Sequence, residues 1–191
     1  MRSPKAPDNP AARPLRQLTQ QALQQRLDNA LAAAEGVEGA HCVHELWMRG
    51  AWPATVEAAI ERLWQRAAAT VPEWLPMTYV PCLPVLYEVA ARFTARASGR
   101  THLYLVLLDY SDRRGDGQGI YVGMSRYRAA ARFDQHKAGI RAAGSVLKRG
   151  LEVLTGPVLH LQFIARGEAA RIEAELALAL ADAGIKVEGG H

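Results

Sequence analysis

The chain has 191 residues, 49% hydrophobic and 22% charged, with a formal net charge of +4 and a sequence pI of about 9.3. That is ordinary globular composition, sufficient for one large domain or for a smaller domain with an extension. It excludes a disulfide-stapled scaffold, since Cys42 and Cys82 are the only cysteines, and a helical membrane span, since no apolar run approaches ~20 residues.

Residues 1–14 are basic and Pro-rich, lack the apolar centre of a signal peptide, and read as a disordered lead-in to a chain whose default setting is the reducing cytoplasm. Leu15, Leu18, Ala22, Leu27, Ala30, Leu31 and Ala34 then recur at helical spacing, with Gly36 as the stop. A loop follows. A second amphipathic helix spans about 54–69, with Val56, Ile60, Leu63, Trp64 and Ala67 on one face and Pro53 just ahead of it. Residues 71–84 carry four prolines and can form neither a regular helix nor a central strand. A third helix is expected over 85–97, with Leu86, Val89, Ala90 and Phe93 inward and Ser98-Gly99 ending it. Residues 15–99 thus read as a mainly helical region without internal repeats. Within it His41, Cys42, His44 and Cys82 are zinc-competent residue types, but no C-x-x-C or H-x-x-x-H spacing organises them. Buried cysteines and loop histidines are the plainer reading.

The character changes at Thr101. Residues 103–108, LYLVLL, form a continuous apolar run, as in a strand buried on both faces. The turn cluster SDRRGDGQG leads into a second strand at GIYVG. Helices are expected over 127–140 and 146–151, a third strand over 158–165, and a last helix over 168–183. The order β-β-α-α-β-α over 100–191 predicts an α/β domain with a small, mainly antiparallel three-stranded sheet flanked by helices. Between Met124 and Gly150 stand seven basic residues (Arg126, Arg128, Arg132, Lys137, Arg141, Lys148, Arg149) against the single acid Asp134. Such a surplus fits a phosphate-binding surface as well as a solvated basic helix, and on the first reading Arg126, Arg128, Lys137, Lys148 and Arg149 are the candidate nucleic-acid contacts.

On the 127–140 helix, Ala129, Phe133 and Ile140 cluster within about 40° and define the inward face. Arg128 and Arg132 share one shoulder, with His136 between them and the core. On the last helix Ala169, Ile172, Leu176, Ala179, Leu180 and Ala183 face inward. Glu173 lies about 70° from that face's centre, on the opposite shoulder from Glu168 and Glu175. Periodicity does not choose among these three acids.

The C-terminal half resembles the GIY-YIG nuclease family in the order of several separated motifs. His102-Leu103-Tyr104 stands at the first motif, with histidine in the usual glycine place, and Tyr121-Val122-Gly123 at the second, followed by Ser125. Arg132 and His136 match R-x-x-x-H, and Glu173 through Leu176 matches E-x-x-L. The hairpin is longer than is typical, the Tyr121-to-Arg132 spacing is slightly long, and the asparagine beyond the last helix is absent, with His191 as the candidate replacement. The resemblance implies hydrolysis of phosphodiester bonds in nucleic acid, DNA foremost, with Mg²⁺ or Mn²⁺ held by Glu173. It assigns catalysis to Tyr104, Tyr121, Arg132, His136 and Glu173. One phenol would bind or deprotonate the attacking water while the other orients the phosphate, with Arg132 or the metal lowering the phenol pKa. A rival reading is a module that binds nucleic acid through a decayed catalytic site. The helical region would position substrate, pack on the nuclease domain, or form a homodimer or protein-partner surface; no membrane is involved.

Overall fold

A computed structural model of the chain describes residues 14–49, 51–71, 80–112, 117–154 and 156–190. Most of the lead-in, most of the Pro-rich segment, the centre of the hairpin turn and His191 therefore lie outside the described residues. The chain divides into two compact units, Asn9–Pro84 and one that includes Val85–His191.

The first unit holds three helices: α1 (Gln20–Ala32), α2 (Gly36–Met48) and α3 (Pro53–Ala67). Thr19 opens α1 by accepting from the Ala22 N–H at 3.1 Å, which satisfies one of the unpaired amides of a helix start. Leu23, Leu27, Val43, Leu46, Val56 and Leu63 form its buried interior. The loop expected after Gly36 is instead a helix. α2 is buried along most of its length, from Gly39 and Ala40 through Trp47, and so lacks the polar stripe that makes a surface helix legible. Cys42 and His44 sit inside that packing. Burial pushes the Cys42 thiol up to about 12 and holds the His44 imidazole down at about 3, so both are neutral core groups.

In the second unit, α4 (Leu83–Ala90), which begins just before the boundary, stops well short of residue 97. His160 Nε2 donates to the Ala90 carbonyl at 3.1 Å, taking an acceptor at the helix end. β1 (His102–Asp109) and β2 (Gln118–Ser125) pair antiparallel, with Tyr104 opposite Gly123 and Val106 opposite Tyr121. β3 (Gly150–Val153) joins the other edge of β1 antiparallel, and β4 (Val187–Gly189) runs parallel to β2. The sheet is therefore four-stranded and mixed, in the order β3-β1-β2-β4, rather than three-stranded.

The strand expected at 158–165 is displaced to β3. Its alternating sequence is held as a loop by Gln162, whose Nε2 donates to Leu103 O at 2.9 Å and Val158 O at 2.8 Å. Ile164 makes an isolated bridge to Thr101, and the Leu103 N–H donates to Leu161 O at 3.2 Å. α5 (Ala129–Lys137) and α6 (Gly144–Arg149) cover the face bearing Tyr104, Val106 and Leu108, where Ala129, Val146 and Val153 complete a cluster. Ile140, expected inward, is 56% exposed because α5 has ended before it. α7 (Arg166–Asp182) packs against β1 and β2 with Ile172, Leu176 and Leu180 buried. Among the described residues, no helix is long and apolar enough to cross a membrane.

Candidate active site

Side chains alternate across a strand, so Tyr104 and Tyr121 project from neighbouring strands onto one face of the sheet. Their register places them diagonally, with Gly123 opposite Tyr104. The ring centroids are 6.0 Å apart. A Cβ on Gly123 would lie 2.6 Å from Tyr121 Cε1 and 2.7 Å from Tyr104 Oη. The missing side chain is what admits both phenols.

His136, 1% exposed on α5, completes the group: its Nε2 lies 2.9 Å from Tyr104 Oη, and its ring centroid is 5.8 Å from that of Tyr121. The Ala143 N–H donates to Nδ1 at 2.9 Å. Burial, with Arg132 nearby, holds His136 down at about 4, so the ring is neutral at pH 7. With Nδ1 accepting, the neutral ring carries its proton on Nε2 and donates it to Tyr104. Tyr104 in turn donates to Tyr121.

Burial raises both phenols above their ordinary value, Tyr104 further by donating to Tyr121. Accepting that bond works in the other direction on Tyr121, where the charge of Glu173 raises the phenol, while Arg132 lowers both phenols and Tyr104 also through a hydrogen bond. Both phenols are therefore protonated at neutral pH. Arg132 is bonded to Tyr104 and anchored by donating to Ile140 O at 3.2 Å and Arg141 O at 2.8 Å. Its planar cation lies beside the phenols without neutralisation by a carboxylate at those anchor points.

Glu173 reaches the group from α7. The Ile120 N–H donates to Lys186 O beside β4, and β4 ends at Gly189 opposite Val122. Two residues further along β2, the Met124 N–H is directed to the same side and donates to the Glu173 carboxylate. Glu173 is 7% exposed, and burial raises its carboxyl to about 7. Its charge is felt at Tyr121. The other two acids of this helix separate from it: Glu175 pairs with Arg171 at 2.7 Å in solvent, and Glu168 lies in the first turn. The angular reading placed Glu173 on a helix shoulder; the folded chain buries it.

Among the described residues, no three His, Cys, Asp or Glu side chains gather as a metal-ligand group. A hard divalent ion that keeps its waters and takes phosphate oxygens needs only one or two protein carboxylates. A buried carboxylate accepting one amide donor suits that donor set, and Glu173 is the residue that would hold the ion.

All five candidate catalytic residues thus meet, from β1, β2, α5 and α7. The basic residues divide. Arg149 forks onto Asp112 at 2.7 and 2.9 Å, donates to Asp109 O and lies 4.6 Å over the Tyr110 ring. Lys137 donates to Leu147 O and Gly150 O at the end of α6. Arg126, Arg128 and Lys148 are exposed. Sequence reasoning missed the Ala143 amide that fixes the His136 tautomer, and no side-chain signal marks it. Comparison of the chain with protein-family models, with curated proteins and with solved structures found no match.

Proposed function

We propose that the unit containing Val85–His191 is a GIY-YIG-type endonuclease that hydrolyses phosphodiester bonds in nucleic acid, DNA foremost. The observation carrying this reading is the convergence of Tyr104, Tyr121, Arg132, His136 and Glu173, from four elements, beside an exposed basic segment. Water attacks phosphorus; one phosphorus–oxygen bond forms as the opposite one breaks, and the departing oxygen takes up a proton as the water loses one. Tyr121, at the end of the hydrogen-bond chain that runs from His136 through Tyr104, faces the water. Arg132, held in place by its main-chain bonds, sets its positive charge beside the non-bridging oxygens. His136 is a positioning residue: it fixes the Tyr104 hydroxyl by donating to it, and Tyr104 passes that order to Tyr121. Glu173 would hold a divalent ion, which when bound would supply charge neutralisation for phosphoryl chemistry.

The test is cleavage of plasmid and single-stranded DNA with Mg²⁺, with Mn²⁺ and with EDTA. Expected is cutting in either metal, none in EDTA, and none by Glu173→Gln in any condition. Glu173→Gln fails because a neutral amide is a poor ligand for a hard cation, whereas Glu168→Gln and Glu175→Gln, away from the ion, should cut like the parent. Tight, salt-sensitive DNA binding without cutting by the parent would replace this reading with that of a binding module.

A further inference from the structure

Alternation along β1 puts His102 on the same sheet face as Tyr104, about 6.6 Å further along the strand and opposite Ser125. Against His102 stands Phe163, with ring centroids 4.7 Å apart at an interplanar angle of 73°. Phe163 is 58% exposed and has φ +58°, the left-handed region that a side chain with a Cβ rarely adopts. An exposed phenylalanine in a strained conformation contributes little to a core.

The loop nevertheless holds it firmly. Gln162 bonds His102 Nδ1 at 2.9 Å and two main-chain carbonyls. Gly99 N donates to Phe163 O at 2.8 Å, and Thr101 and Ile164 exchange both main-chain bonds at 2.8 and 3.0 Å. Gly99 packs so closely on Ile164 that a Cβ there would meet its carbonyl oxygen at 2.2 Å. Across the strand pair, directly after Ser125, Arg126, Tyr127 and Arg128 are exposed, with Tyr127 at 56%. Arg100 and Arg166, flanking β1 and opening α7, are exposed as well.

We propose that this end of the sheet binds an unpaired nucleobase next to the scissile phosphate, with Phe163 stacking on its face and the surrounding arginines on the flanking phosphates. The inference rests on the nuclease reading and names its substrate class: single strands, flaps or splayed junctions, rather than continuous duplex. Rigid exposed aromatics among cations are how proteins hold single strands without reading sequence, because every base presents a π-face. In an intact duplex both faces of each base are already stacked, and Phe163 has nothing to receive.

The experiment measures binding in EDTA, so that no probe is cut. One probe is a single-stranded oligonucleotide, the other a blunt duplex of the same length. Phe163→Ala should weaken single-strand binding about 5- to 150-fold and leave duplex binding within about twofold. Phe163→Trp should restore single-strand affinity, and its added indole should be quenched by the normal oligonucleotide but not by one made of abasic sites. That fluorescence readout stands even if the alanine variant fails to fold. Unchanged single-strand binding by Phe163→Ala, equal loss on both probes, or an unquenched indole would overturn the stacking inference while leaving the nuclease reading in place. If the parent binds neither probe at low salt, the nuclease reading fails and this inference with it.

Discussion

Glu173 carries a carboxyl that is almost fully buried and titrates near 7, against an ordinary value of 4.5. Because the folded pKa is raised, the stabilising state is the protonated one. Its contribution is complete below about pH 4.5 and is lost as pH rises through 7. At pH 8 the carboxylate costs stability, and Glu173→Gln, which keeps an acceptor for the Met124 amide, should raise stability by about 1–3 kcal/mol. Urea unfolding at pH 8 and at pH 4.5 checks this: a gain at the higher pH only is expected, and an equal gain at both would mean the carboxyl is not perturbed. The phenols can be told apart in the same way. If both act in catalysis, Tyr104→Phe and Tyr121→Phe should each lower turnover about 10²–10⁴-fold. Only Tyr104→Phe leaves the buried His136 Nε2–H without its acceptor, a further loss of about 1–3 kcal/mol in stability that Tyr121→Phe should not share.

At the level of elements, the start of α5 is where nucleic-acid affinity should be read. Arg126 and Arg128 are exposed ahead of the helix, whereas Arg149 and Lys137 are bound within the chain. Replacing Arg126 and Arg128 by Ala should shallow the log–log salt dependence of DNA binding by about 2, close to one per phosphate contact. Replacing Lys137 and Arg149 should change it less and cost stability instead. A slope untouched by the first pair would place the phosphate track elsewhere. Strands β1 and β2 were legible from sequence because LYLVLL and GIYVG are apolar runs bounded by turn residues. β4 was not, being three residues with a glycine, and β3 was mistaken for the alternating stretch at 158–165, which Gln162 diverts into a loop. α2 escaped because it is buried on most sides, so its hydrophobic residues carry no period. Tyr104, Tyr121, Arg132 and His136 were found by the spacing of motifs, and Glu173 by that spacing alone. Phe163 was invisible, since an aromatic in an apolar stretch reads as core.

For the molecule as a whole, acid should be the first stress to open it. His44 and His136 are held at about 3 and about 4, and His41 and His160 are also lowered, all chiefly by burial. Depressed histidine pKa values give stability that is present above about 6.5 and is lost as pH falls toward the folded values, by up to about 1.4 kcal/mol per pH unit per group. His41 and His44 lie in the first unit, His136 and His160 in the second, so both should weaken between pH 6.5 and 4. Trp47, Trp52 and Trp64 are described residues of the first unit, so their fluorescence follows that unit and hydrogen exchange along β1 follows the other. A flat unfolding midpoint over this range in either unit would show its histidines to be solvated. The placement of Glu173 on α7 also orders events during synthesis. A chain leaving the ribosome presents both tyrosines, the arginines and His136 before the helix that brings the carboxylate, so under the proposed nuclease function a partly made protein would lack the residue that holds the ion. Under that proposal, ribosome-tethered chains ending within α7 should leave DNA whole, and cutting should begin only once the whole of α7 has emerged.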